Sequence, residues 1–291
     1  MSFDVANFNV WAQKPFKEQA QAFLNAFWDD VQDQAEFIYT ISYKTLRAAD
    51  MHKKGIEYLY EYREGIDVDF VTGLYFYEKL WERVHKPEMD GTVWAEKSEF
   101  SRSMPVKMTA VERKNSLSDQ DLNSDNRISF LEYLLHQYAA DPEEFIRSSL
   151  EQLKSLDPNL DKAQKALVEV NSKLTEIEKQ KAQLKKDAKG DGPKAKKAQF
   201  QLKSMKNSQM VSDLNARLLK AEAAIRAAQR AAKGSTAHPQ GTAWWVEREL
   251  QEVKELYGAA GARNKSVNGP KKHGKKADAW IKNKEPKWKV K

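Results

Sequence analysis

Apolar residues recur every three or four positions through most of this chain, and runs that alternate at every second residue extend only a few residues. That period belongs to the face of an α-helix rather than to a strand, and it predicts an all-α fold. Between Phe16 and Ile41 the stripe Phe16, Ala20, Phe23, Phe27, Val31, Ala35 and Ile38 marks the buried face of one helix or a helix pair. A further helix is expected through "TLRAADMHKKGIEYLYEY" (45–62). The segment "DPEEFIRSSLEQLKSL" opens with Asp141 as N-cap, Pro142 at the first helical position and Glu144 in place for a capping box.

Past the break at Asp157-Pro158 the pattern narrows to a seam. Ala163, Leu167, Val170, Leu174, Ile177 and Leu184 follow a four-three spacing, and so do Leu214, Leu218, Ala221, Ile225, Ala228 and Ala232. Between them "AKGDGPKAKK" reads as a turn, so the two heptad segments predict an antiparallel helical hairpin, or short coiled coil. The small residues of the second arm permit close packing. A third helix, "TAWWVERELQEVKELY", carries Val246, Leu250, Val253 and Tyr257 on one stripe and stops at Gly258. Its Trp pair, at 244–245, reads as a packing anchor. Three regions are expected: a helical domain over 1–156, the hairpin with its third helix over 157–258, and a tail over 259–291.

Charge sharpens this division. The formal net charge is +7, yet from Gly258 to Lys291 eleven Lys or Arg face only Asp278 and Glu285, which leaves the first 257 residues slightly acidic. A near-neutral body with a basic tail is not a nucleic-acid binder's distribution. With no cysteine, disulfides and thiol catalysis are excluded. The five histidines share no ligand spacing, and no phosphate loop, nucleophile elbow or catalytic carboxylate pair is present, so no enzyme is expected. No run approaches ~18 apolar residues, so no membrane span is expected. The start lacks a signal-peptide pattern, and Ser2 is not the glycine of a myristoylation site. A reduced cytoplasmic protein is the expectation.

The sharpest chemistry lies in "DLNSDNRISFLE" (121–132). A calcium ion takes six to eight hard oxygens, and an EF-hand loop supplies them from its positions 1, 3, 5, 7, 9 and 12. Those positions hold Asp121, Asn123, Asp125, the carbonyl of Arg127, Ser129 and Glu132, with Ile128 at the apolar position 8. Asn126 replaces the usual glycine at position 6, where asparagine tolerates a left-handed backbone better than most residues. EF-hands pair, and "EYREGIDVDFVT" (61–72) aligns without a gap. Val68 then matches Ile128, Phe70 matches Phe130 and Leu74 matches Leu134. Its ligand positions fail at Glu61, Arg63, Gly65 and Thr72, and Arg63 is expected to put a cation into the cavity. One calcium site and one silent hand follow.

"AEFIYTISYKTLRAADMHKKGI", "LYFYEKL", "DLNSDNRISFLEYLLHQY", "ALVEVNSKL", "AEAAIRAAQ" and "AWWVERELQE" resemble, in this order, the calcium-regulated actin-bundling proteins of amoeboid cells. The likeness runs from roughly Ala22 to Gly258. It implies a monomer of this size that cross-links F-actin through more than one contact, in the cytoplasm at the cytoskeleton, with calcium weakening the bundles. It also implies one calcium-binding and one degenerate hand, and it carries the ligands onto Asp121, Asn123, Asp125, Arg127, Ser129 and Glu132. Asn126 and the long basic tail depart from the family pattern. The family's use of this helical region and the lysine-rich run before the second arm place the main actin contact near Lys194 to Lys233. The alternative is a calcium sensor-adaptor that recruits a helical target or an acidic membrane surface through its hairpin and tail.

Overall fold

A computed structural model describes residues 4–88, 92–154, 158–205, 209–232 and 239–257. The expected tail, and the side chains of Ala232 and Tyr257, lie outside the described residues. The described residues fall into two compact units, 4–154 with 239–242, and 158–232 with 243–257. Among the described residues the fold is all-α apart from two three-residue strands.

In the first unit, α1 (Val5–Ala12) starts at Asp4, whose carboxylate accepts the Asn7 N–H at 3.1 Å. Helix α2 (Phe16–Ala26) follows. All seven residues of the stripe from Phe16 to Ile38 are buried, but not along one helix. The chain breaks at Phe27, passes through a 3-10 turn at Gln32–Gln34, and widens into a π turn at Ile38–Tyr43. Ile38, Tyr39, Ile41, Ser42 and Tyr43 are all buried there. A single helical face cannot bury five of six successive residues; rewinding the backbone re-aims them.

Helix α3 (Lys44–Lys53) stops short of the expected end at Tyr62. Gly55 adopts φ +65, and the Ile56 N–H reaches back to the Met51 carbonyl at 3.0 Å while that of Gly55 reaches His52. This glycine-terminated cap closes the helix, and residues 56–66 run as a loop with one 3-10 turn at Leu59–Glu61. Strand β1 (Asp67–Asp69) leads into α4 (Phe70–His85). Helix α5 (Ala110–Gln120), strand β2 (Arg127–Ser129) and α6 (Phe130–Gln137) repeat the arrangement, and α7 (Pro142–Lys154) follows. Asp141 caps α7 by accepting the Glu143 N–H at 2.9 Å.

In the second unit α8 (Pro158–Asp187) turns through Gly190, at φ +113, into α9 (Pro193–Ser204), and α10 (Gln209–Ala232) continues the return. The pairing is antiparallel: Gln199 donates to the Ala188 carbonyl near the turn, and Arg217 and Lys220 lie 3.6 and 3.4 Å from Glu169 further along. The expected seam residues Ala163, Leu167, Val170, Ile177, Leu214, Leu218, Ala221 and Ile225 share one core, with Leu174 and Leu184 packed at its edge. Helix α11 (Gln240–Tyr257) adds Val246, Leu250 and Val253 to that core. It is keyed polar-to-polar by Asn171 to Glu249 at 3.0 Å and Lys254 to Glu222 at 2.8 Å. Trp245 is fully buried.

Candidate metal centre

The two loops meet back to back through their strands. Val68 faces Ile128, Asp67 faces Ser129 and Asp69 faces Arg127 in an antiparallel register. This is the pairing expected when position 8 of each loop is apolar, and both residues are buried. The exit helices start alike. Asp69 accepts the Thr72 N–H at 2.8 Å, and Ser129 accepts the Glu132 N–H at 3.2 Å. Their burial then differs: Phe130 and Leu134 are fully buried, whereas Phe70 and Leu74 are half-buried and Phe76, Tyr77 and Leu80 fill the core instead.

Within 121–132 the backbone curls around the acidic side chains. Asp121 accepts N–H groups from Asp125 (3.0 Å) and Asn126 (2.9 Å), Asn123 accepts that of Asp125 (3.1 Å), and Asp125 accepts that of Arg127 (2.8 Å). Two non-glycine residues make the tight turn by going left-handed, Ser124 at φ 58 and Asn126 at φ 60. The side chain of Arg127 is engaged with Asp67 across the strands, so its contribution to a cation site falls to the carbonyl. Burial, and to a smaller degree the Asp125 charge, pushes the Glu132 carboxyl up to about 7, against the pull of its hydrogen bonds. Those bonds come from the Ser129 N–H and hydroxyl, both at 2.8 Å, and from the Leu122 N–H at 3.1 Å.

These residues fit a hard divalent cation by their chemistry. Every donor is oxygen, and a carboxylate only 1% exposed is matched by dipoles alone. The acids do not form a cage by themselves: among the described residues no three His, Asp or Glu side chains gather as a metal-holding group. The set depends on the amide of Asn123, the Arg127 carbonyl and the Ser129 hydroxyl as well.

The 61–72 loop is built the opposite way. Lys54 places its ammonium 2.7 Å from Asp50 and 3.1 Å from the Arg63 carbonyl, and the Tyr62 hydroxyl donates to Asp50 at 2.7 Å. Burial and the Asp50 carboxylate raise the Tyr62 phenol far above its ordinary value. A Cβ on Gly65 would lie 2.8 Å from Asp50 Oδ2. Asp69 is ion-paired with Lys53, which holds its carboxyl down at about 2. The expectation that Arg63 puts a cation into the cavity is corrected: Arg63 is exposed, and the ammonium that meets the loop, at the Arg63 carbonyl, is that of Lys54.

No family model matches the chain. A curated relative from Dictyostelium discoideum, described as "Calcium-regulated actin-bundling protein", is 38% identical over 260 residues, 85% of this chain and 86% of that protein. The chain belongs to the family of calcium-regulated actin-bundling proteins. The crystal structure of the 34 kDa F-actin bundling protein from Dictyostelium discoideum matches with a TM-score of 0.81 at 38% identity, over 89% of this chain and 98% of that one.

In this member of the actin-bundling family, two polar side chains that the hydrophobic pattern did not mark frame the loops. Gln19, fully buried, donates to the Ala12, Lys14 and Ile66 carbonyls and accepts the Leu131 N–H at 2.8 Å, so it joins the α1–α2 turn to both loop regions. Its signal was available: a glutamine sits beside Ala20, within the apolar stripe between Phe16 and Phe23. Asn9 bonds to Asn123, and nothing in the local pattern of α1 singles it out.

Proposed function

We propose that this chain cross-links actin filaments without catalysing a reaction, and that one calcium ion at 121–132 weakens the cross-links. The observation that carries the reading is the likeness, over 85% of the chain, to a protein described as calcium-regulated and actin-bundling. The oxygen-only loop and the left-handed Asn126 support the calcium half, with Asp121, Asn123, Asp125, the Arg127 carbonyl, Ser129 and Glu132 as ligands. When bound, the ion supplies positive charge opposite three carboxylates. The partner is F-actin, met by a monomer through at least two contacts at the cytoskeleton in the cytoplasm. Helix α9 suits one of them: Lys194, Lys196, Lys197 and Lys203 are exposed along it, as is Phe200 at 70%. The adaptor alternative has no counterpart among these relatives.

Low-speed pelleting of actin tests the whole reading. Bundles should pellet in chelator, and calcium should lower the apparent affinity by roughly 5- to 150-fold, the range of an allosteric coupling of about 1–3 kcal/mol. Replacing Lys194, Lys196 and Lys197 by glutamate should lower pelleting in both conditions. Pelleting that calcium leaves unchanged or increases would overturn the switch.

Protons should compete with calcium. A carboxyl that titrates near 7 must lose its proton to ligate, so acid weakens binding. Calcium affinity measured at pH 6 should be about tenfold below that at pH 8, one decade for the unit below the Glu132 midpoint. Equal affinities at the two pH values would remove Glu132 from the ligand set.

A further inference from the structure

Asn123 is the third-position ligand of the loop, and its amide is already oriented. Its Oδ1 accepts the Asp125 N–H at 3.1 Å, which fixes Nδ2 as the end that donates. That nitrogen donates to Asp125 Oδ2 at 3.0 Å and, across 114 residues of sequence, to Asn9 Oδ1 at 2.9 Å. Asn9 lies on α1, which packs against α2, α6 and α7. We propose that Asn9 is a positioning residue for the calcium loop, and that α1 docking and calcium occupancy reinforce each other through it. The proposal rests on the calcium reading above.

Accepting from Nδ2 fixes the amide plane with Oδ1 on the loop side and draws electron density toward that oxygen, which improves it as a donor to a hard cation. Partners of this outer kind commonly change metal affinity by about 10- to 100-fold. Helix α1 is itself sensitive to such a bond. An eight-residue helix is not stable alone, and this one is anchored by Phe8 and Ala12, with Trp11 edge-on to Phe145 at 6.3 Å. Val5 and Val10 on the same helix are exposed. A helix this short, with apolar residues left on its outer side, responds to one added or lost contact. Linkage then makes the effect reciprocal: if α1 favours the ion, the ion holds α1 down.

The experiment uses the full chain. Calcium is titrated calorimetrically into wild type, Asn9→Ala and Asn9→Asp, and amide hydrogen exchange of residues 8–12 is followed with and without the ion. The alanine variant should bind about tenfold more weakly. The aspartate variant keeps an acceptor for Nδ2 and adds a negative charge beside the loop, so it should bind no more weakly than wild type. Calcium should slow exchange in α1 of wild type and much less in Asn9→Ala. Equal dissociation constants for wild type and Asn9→Ala overturn the inference while leaving the metal reading in place. An aspartate variant as weak as alanine also overturns it. Should Asn9→Ala fail to fold in chelator, the aspartate variant and wild-type exchange decide: calcium that leaves α1 exchange unchanged overturns the proposal. Wild type that takes up no calcium removes the metal reading itself, a separate and recognisable result.

Discussion

Glu132→Gln should weaken calcium binding by about 100-fold, which corresponds to about 3 kcal/mol, and should leave bundling the same in calcium and in chelator. Glu132 occupies the position from which a loop of this type closes on its ion with both carboxylate oxygens. It is also the most deeply buried acid of the loop. Glutamine keeps one oxygen for the Ser129 N–H and hydroxyl, but its NH2 replaces the oxygen that accepts the Leu122 N–H, and the charge is lost. That one bond is worth about 1 kcal/mol, less than the cost of the buried charge that the substitution removes. The carboxyl titrates at about 7 in the folded chain against 4.5 ordinarily, so the folded state holds the proton more tightly than the unfolded chain does. Stability contributed by that proton is complete below 4.5 and is lost as pH rises to 7; the charged carboxylate then costs roughly 3 kcal/mol. In chelator at pH 8 the glutamine variant should therefore melt no lower than wild type. Calorimetry and a thermal melt separate the two effects. A variant that still binds calcium like wild type would falsify the ligand assignment.

Gly241→Ala should lower the stability of the first unit by about 3 kcal/mol, the upper part of the overpacking range. A Cβ there would lie 2.5 Å from Leu24 Cβ, 2.6 Å from the Leu24 carbonyl carbon and 2.7 Å from the Asn25 nitrogen. Two of the three are backbone atoms of α2 and cannot rotate away. The approach is fixed by a reciprocal pair beside it: the Asn25 amide donates to Thr242 Oγ1 and accepts the Thr242 N–H, both at 2.8 Å. Helix propensity alone would favour alanine by about 1 kcal/mol, so even the sign of the effect is informative. Gly73→Ala offers a contrast. Its Cβ would meet Leu117 Cδ2 at 2.9 Å, the end of a side chain that can turn, and a loss of about 1 kcal/mol is expected. Urea denaturation of both variants measures the difference; a neutral or stabilising Gly241→Ala would sink the argument.

The parts of this protein legible in its sequence are those written in local periods. The four-three spacing from Ala163 to Ile177 and from Leu214 to Ile225 identified one core, because a heptad seam allows few other uses of those residues. The gapless alignment of 61–72 on 121–132 anticipated that Val68 would face Ile128, because position 8 has a single role in such a loop. Other features depend on distant partners. The stripe from Phe16 to Ile38 showed which residues are buried but not that the backbone rewinds at Gln32–Gln34 and Ile38–Tyr43, since burial on several sides erases a period. The stop at Gly55 was a readable cap that the surrounding tyrosines obscured. Gly241 against Leu24, and Asn9 against Asn123, each bring together residues more than a hundred positions apart, and nothing local encodes either meeting.

Lys54 holds its ammonium against Asp50 and against the Arg63 carbonyl at the start of the 61–72 loop, a positive group tied covalently to the chain. With one loop proposed to take calcium, the sensor has one binding event to count. A single independent site fills from a tenth to nine-tenths only over about an 80-fold rise in free ion, because steeper responses need several sites acting together. The chain would then read calcium as a dimmer rather than a toggle, and the stiffness of a bundle would follow the ion in proportion across a wide band of concentrations.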